Sequence, residues 1–395
     1  MNIWQIFKRE VHYIFVKDRR RANFIFGASI AYLLIFGLLY GPQVVTNVPL
    51  VIYDEDQSQL SRSLVQAFAD SERFQIISQP ASQEEIEYLL HEQIAYAAIH
   101  IPHDFSQNVT AGRSSPVLLI ASGLNLVITN TITTATQEIL LTFNQEVSTK
   151  LGEQVGLSPI LAQNKTAPLQ IALRVLNNPT LSYLNFFVIG LAMAAFQQGI
   201  FLSVGASIIS EYHNLRELAE VHPMQVMIGK LLPYFLFASL SFFLTLLIAS
   251  KVFDIPCKGD LFSLFCLAMA FTLTAIGFSS LIASFCTSEI TFTKLSLTYS
   301  IPAFTLSGYI WPLASMDGMS QIFAYTFPLF YFSDAVREIM LAGYSPALYH
   351  NILILLLLGL TLISLSTFVY TRKRQGIHLT GQPANVTVNH TGIIK

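Results

Sequence analysis

The sequence predicts an α-helical polytopic membrane protein of six spans, with an α/β domain inserted between the first and second. Three observations predict it. One apolar span stands near the N-terminus at 24–40, a mixed stretch of about 140 residues follows, and from Tyr183 to Tyr370 the chain is almost continuously apolar. A single soluble core cannot hide that much apolar surface.

Composition agrees. Hydrophobic residues make up 53% of the 395 and charged residues 12%, against roughly 25% charged in soluble domains. Most of the chain therefore does not face water. A net charge of −2 leaves no basic footprint for nucleic acid. Cys257, Cys266 and Cys286 are too few and too scattered for a disulfide framework or a zinc site.

The first 22 residues place Ile3, Trp4, Phe7, Val11, Ile14 and Phe15 at helical spacing, interleaved with Lys8, Arg9 and Lys17. That pattern is an amphipathic helix lying in the cytoplasmic interface, with Trp4 at headgroup depth. No small-residue cleavage site follows the span at 23–41, so it is a retained transmembrane helix and not a signal peptide.

Residues 42–182 read as an extracytoplasmic α/β domain. Strands are expected at 49–53, 74–78, 96–101 and 117–121, and helices at 58–70, from Ser82 to about Gln93, and at 125–151. Ser82 and Glu85 have the spacing of a capping box, which satisfies free backbone N–H groups at a helix start. Alternating strands and helices point to a small α/β sheet. Asp54-Glu55-Asp56 admits a cation site or a solvated turn before a capped helix. His91, His100 and His103 match no standard metal-ligand spacing.

Residues 183–371 read as a five-helix bundle. A helix needs roughly 20 apolar residues to cross a bilayer, which gives six spans in all, at 23–41, 183–206, 230–252, 261–285, 291–312 and 349–371. Six basic residues precede the first span, and Arg372, Lys373 and Arg374 follow the last. By the positive-inside rule both termini are cytoplasmic, including the tail 372–395, and 42–182 lies outside.

Three features of the bundle carry function. The polar loop 207–229, with Glu211, Arg216, Glu217 and Glu220, reads as a short surface helix that Pro223 ends; it is either a lever for a soluble partner or a plain solvated loop. Gln197 and Gln198 sit mid-span, as hydrogen-bonded glue between helices or as part of a substrate path. Residues 308–343 are apolar but broken by Pro312, Gly318 and Pro328, which suits a re-entrant outer segment over 313–345. Arg337 and Glu338 stand in this apolar context, so each should be paired or interfacial.

These stretches together resemble the type-2 ABC exporter permeases, in the subgroup with a large extracytoplasmic domain after the first span. The resemblance rests on VIYDEDQSQLSRSL after the first span and on Gly229-Lys230-Leu231-Leu232-Pro233-Tyr234 opening the third. It also rests on Ser307-Gly308-Tyr309-Ile310-Trp311-Pro312, then Phe327-Pro328-Leu329, then Ala335-Val336-Arg337-Glu338. Two departures stand out: Phe327 replaces the family's asparagine, and His213-Asn214-Leu215 replaces a Gly-Thr step.

The resemblance implies a permease that dimerises with a second copy or a related permease in a bacterial inner membrane. It implies a separate cytoplasmic ATPase, which would carry ATP and Mg, and a periplasmic adaptor as a further partner. Coupling would fall to Glu211, Arg216, Glu217, Glu220, Pro223, Gly229 and Lys230. The path or gate would fall to Gln197, Gln198, Gly308, Pro312, Pro328, Arg337 and Glu338. The sequence holds no G-x-x-x-x-G-K-[ST] phosphate loop, so no cofactor and no catalytic or metal residue is expected in this chain, and transport must be driven from elsewhere. A membrane-anchored binding or scaffold protein working through 42–182 is the alternative.

Overall fold

The structure, a computed structural model, describes residues 1–41, 45–111, 113–123, 126–154, 177–178, 182–213, 218 and 220–380. The chain divides into two units, Met1–Gln43 with Val175–Lys395, and Val44–Arg174.

The second unit is built on a four-stranded sheet in the order β2-β1-β3-β4. Its strands are β1 (Val48–Asp54), β2 (Phe74–Ser78), β3 (Ala97–Ile101) and β4 (Leu118–Ala121). β1 pairs parallel with β2 and β3, and β3 pairs antiparallel with β4. The period-2 alternation of β1 serves two cores. Leu50 and Ile52 pack with Leu64, Phe68, Ile132 and Phe143, while Val51 packs with Ile86 and Ala98. The helices beside them, α4 (Gln59–Ala69), α5 (Gln83–His91) and α7 (Leu126–Gln154), fall where the sequence places helices. α6 (Phe105–Thr110) was not expected. Ser58 caps α4 through the Ser61 N–H, and Ser82 caps α5 through the Glu85 N–H. The Glu85 carboxylate reaches back to the Ala81 N–H at 3.1 Å and not to Ser82, so the box closes one residue early.

The first unit begins with α1 (Ile3–His12), whose Asn2 and Gln5 form a reciprocal capping box. A π-helical turn over Tyr13–Lys17 leads to α2 (Arg19–Ala22), and a second over Asn23–Gly27 leads to α3 (Ala28–Leu39). A third, Leu184–Val188, opens α8 (Ile189–His213). Then come α9 (Pro223–Val252), α10 (Leu261–Phe285), α11 (Glu289–Thr305), α12 (Gly318–Ala324), α13 (Pro328–Ala342) and α14 (Leu348–Thr380).

Among the described residues five helices, not six, are long and apolar enough to cross a membrane: Arg19–Leu39, Leu184–Tyr212, Pro223–Val252, Leu261–Phe285 and Leu348–Gln375. The expected span at 291–312 is α11, which stops after 17 residues. The chain turns soon afterwards at Gly308, whose φ of +79° suits glycine. The expected outer segment is two helices, with Pro328 at the first turn of α13 and Gly343 (φ +94°) ending it.

α8 is the hub of the bundle, with 72% of its most apolar window buried, against 17% for α14. Glycines and small hydroxyls set how closely helices approach. Gly277 of α10 faces Gly359 of α14. Gly199 of α8 lies on the backbone of Phe24. Ser29 bonds to Thr245 at 2.9 Å, and Ser279 donates to the Phe201 carbonyl at 3.0 Å. Such small-residue contacts are how helices cohere without a hydrophobic drive between them.

Candidate functional site

Two of the expected charged coupling residues are not on the surface. Glu211, in the last turn of α8, and Lys230, in α9, are each 3% exposed. They meet in an ionic cluster centred on Glu10 of α1. The Lys230 ammonium donates to Glu10 Oε2 at 3.0 Å and lies 3.2 Å from Glu211 Oε2. Arg21 Nη1 donates to Glu10 Oε1 at 3.0 Å, and the Ser207 and Tyr234 hydroxyls donate to the same oxygen at 2.6 and 2.8 Å. Arg9 pairs with Glu211 at 3.0 Å. The Tyr370 hydroxyl donates to Glu211 Oε1 at 3.4 Å, and Arg21 Nε donates to Asp18 at 3.2 Å.

The cluster therefore ties α1 and α2 to the ends of α8 and α9 and to α14. Burial pushes the Glu10 carboxyl up, but Lys230 and Arg21 outweigh it and hold Glu10 below its ordinary value. A cavity of about 10 Å³ beside Arg9, Glu10, Tyr13 and Lys230 has room for roughly one water. Gly229 earns its place by packing: a Cβ there would lie 2.9 Å from Ile6 of α1.

The sequence reading missed Glu10, Arg21 and Tyr234. One signal for Glu10 was available. It sits four residues after Ile6 and four before Ile14, and all three are buried. An acid on the buried stripe of an interfacial helix needs a partner.

The loop itself differs from expectation. α8 continues to His213 and α9 starts at Pro223, so Pro223 opens a helix and does not end one. Proline is tolerated there because the first turn has no intrahelical use for its missing N–H. Arg216 and Glu217 lie outside the described residues. Glu220 is exposed. Leu218 and Val221 are buried, and their carbonyls accept from Arg374 Nη1 at 3.4 and 2.5 Å.

The expected path residues divide. Gln198 ties α8 to α11, donating to Ser296 Oγ at 3.0 Å and accepting from Ser300 Oγ at 2.5 Å. Gln197 is 1% exposed, and neither its amide nitrogen nor its oxygen has a hydrogen-bond partner among the described residues. An unmet buried polar group costs about 1–3 kcal/mol, so this side chain is held against its own preference.

The segment after α11 is locked by Tyr309, whose hydroxyl donates to the Phe186 carbonyl at 2.5 Å. Arg337 donates to the Tyr309 carbonyl at 3.1 Å, pairs with Asp334, and stacks 4.4 Å from the Tyr309 ring and 4.9 Å from that of Phe186. Glu338 is half-buried, Pro312 is exposed ahead of a 3₁₀ turn at Leu313–Ser315, and Pro328 is buried.

In the sheet-bearing unit the acidic run is spent on local structure. Asp54 accepts from Ser61 Oγ at 2.7 Å and from the Asp56 and Gln57 N–H groups, and Asp56 accepts from Ser106 Oγ at 3.0 Å. The Tyr53 hydroxyl, with help from His100, holds Glu55 below its ordinary value. A groove of about 1150 Å³ between α4 and α7 is lined by Ser63, Asp70, Glu138 and Phe143 among others.

A model of the ABC-2 family of transporter proteins matches residues 23–368. The chain belongs to this family. It is 26% identical over 379 residues to a probable multidrug ABC transporter permease, YbhR of Escherichia coli K12, covering 94% of this chain and 98% of that one. It is also 27% identical over 157 residues to a probable multidrug ABC transporter permease, YbhS of the same strain, covering 39% of this chain and 41% of that one. The chain is thus a permease subunit of an ABC exporter, a transport component held in a membrane. The ABC-2 match takes in Ser207, Glu211, Lys230 and Tyr234 of the ionic cluster, the Gln197–Gln198 pair and the Arg337 lock.

Proposed function

We propose that this ABC-2 permease moves amphipathic compounds outward across a bacterial inner membrane when a separate cytoplasmic ATPase, carrying ATP and Mg²⁺, presses on the segment between α8 and α9. The observation that carries the reading is the Glu10 cluster. It joins α1 to the two helix ends that bound this segment, so a push there is delivered to several helices at once. Arg216, Glu217 and Glu220 are the residues proposed to meet the ATPase. Gln197, with its unmet amide, is proposed to face the cargo path, and the helices after Gly308 to gate it outside.

In this reading two copies, or this chain and a related permease, each supply six spans. α11 is the shortest, at about 26 Å for 17 residues, against a hydrocarbon core of about 30 Å. The sheet-bearing unit stands outside, where a periplasmic adaptor would meet it, and both termini are cytoplasmic. The multidrug names of the relatives and the apolar character of the spans support an amphipathic cargo.

Reconstitution tests the proposal. Vesicles holding this chain alone should neither hydrolyse ATP nor move an amphipathic dye. Adding a cognate ABC ATPase should start both. Charge reversal at Arg216 and Glu217 should uncouple transport from hydrolysis. Dye movement by the chain alone under an ion gradient would overturn the assignment.

A further inference from the structure

The Glu10 cluster leaves one neighbouring cavity unexplained. It measures about 440 Å³ and opens between the start of the first span, α8 and the start of α11. Its walls are apolar, made by Phe24, Leu202, Ala206 and Phe292. Its mouth is charged with both signs: Arg20 and Lys294 stand with Asp18 and Glu289, and Arg21, which also lines it, is turned to Glu10. Arg20 bonds to Asp18 at 2.8 Å and lies 3.6 Å from Glu289. Lys294 is exposed and forms no ion pair among the described residues. The cavity is open to the outside of the bundle, for Phe24 and Ile290 at its lip are 38% and 70% exposed.

We propose that this cavity binds one phospholipid with a zwitterionic headgroup of the phosphoethanolamine type. Basic residues at the end of a span lie at headgroup depth. There Arg20 and Lys294 can take the phosphate through charge-assisted hydrogen bonds. Glu289 and Asp18 face the ammonium, and one acyl chain runs along Phe24, Leu202 and Phe292. A free phosphate would leave the apolar walls unmet. A purely anionic headgroup would bring its charge against the two carboxylates with no cation of its own to offer them. The volume falls within the roughly 300–1,000 Å³ of ordinary ligand pockets.

The site connects to the coupling machinery through one carboxylate. Asp18 also accepts from Arg21, which bonds to Glu10. A headgroup ammonium that draws on Asp18 competes with Arg21 for it, so lipid occupancy is felt at the cluster. The inference rests on the membrane placement of these helices and not on the ATPase.

The experiment uses the full chain in nanodiscs doped with phosphatidylethanolamine carrying a photoreactive group on one acyl chain. The peptides containing residues 18–24 and 289–294 should be labelled saturably. Unlabelled phosphatidylethanolamine should compete, and glycerophosphoethanolamine, which has the headgroup alone, should not. Lys294→Glu, on an exposed side chain that the fold does not need, should cut labelling of these peptides about tenfold and leave other spans labelled as before. Ala206→Leu, which fills the cavity, should do the same.

Labelling unchanged by Lys294→Glu would overturn the site. Equal labelling by phosphatidylglycerol would overturn the zwitterionic headgroup. A disulfide between two copies through Ile290→Cys would mean that a second permease covers the cleft, and would overturn it too. The readout needs no ATPase, so it stands or fails separately from the transport assay.

Discussion

Replacing Glu10 with glutamine puts the ionic cluster to its hardest test. Glutamine keeps the size and can still accept from Ser207 or Tyr234, but it removes the negative charge between Lys230 and Arg21. The cations Arg9, Arg21 and Lys230 are balanced by Glu10, Glu211 and Asp18. The variant leaves one positive charge uncompensated where Lys230 and Arg21 are each only 3% exposed. Breaking one side of such a buried pair costs about 3–5 kcal/mol, a large part of the roughly 5–15 kcal/mol that holds a folded protein.

Thermal or denaturant unfolding of the detergent-solubilised chain reads this loss. The pH dependence fixes its origin. Glu10 is held below its ordinary value of 4.5, so its stabilisation is fully present above that value and is lost as pH falls through the lower folded value. The gap between wild type and Glu10→Gln should therefore be constant near neutrality and close at pH below about 4.5. Adding Lys230→Met to Glu10→Gln should recover stability, because an apolar replacement of a buried pair is often neutral. A single variant within about 0.5 kcal/mol of wild type at pH 7, or a gap that widens on acidification, would refute the reasoning.

Two further substitutions probe the packing of the bundle. Gly199→Ala sets a methyl group on the Phe24 carbonyl and should cost about 1–3 kcal/mol by forcing the first span off α8; an unchanged unfolding midpoint would show that the two helices are not held so close. Tyr309→Phe strips the donor from the Phe186 carbonyl and should cost about 1–3 kcal/mol while leaving the ring under Arg337 in place. Cysteine accessibility near residues 186 and 309 should rise if the bond locks this segment, and a flat profile would count against it.

What the sequence disclosed and what it withheld follow physical lines. Ser82 announced α5 because a cap is a local bargain between a hydroxyl and an N–H three residues on, and helical spacing over 58–70 announced α4. The short apolar run at 49–53 announced β1, because a strand covered on both faces reads as a continuous apolar stretch. Helices α9, α10 and α14 were legible from apolar length alone. Pro223 misled because proline both stops a helix and opens one, and only the following residues decide. The fifth expected span was read too long because apolar residues continue past Thr305 while the backbone turns at Gly308. The coupling site was half visible. Glu211 and Lys230 stood out as polar residues between spans, but their burial depends on Glu10, which lies 220 residues before Lys230. No periodicity reaches that far.

That same separation bears on biosynthesis. Glu10 and Arg21 leave the ribosome long before Lys230, and at roughly 5–20 residues per second the delay is ten seconds or more. Until then the N-terminal segment can meet only α8, through Ser207 and Glu211, and Glu10 waits without its lysine partner. Nascent chains stopped short of α9 would lack Lys230 and leave Glu10 short of one cation, which gives cellular quality control a handle on unfinished copies. The cluster closes only when Tyr370 of α14 reaches Glu211, so its completion coincides with the arrival of the last long helix.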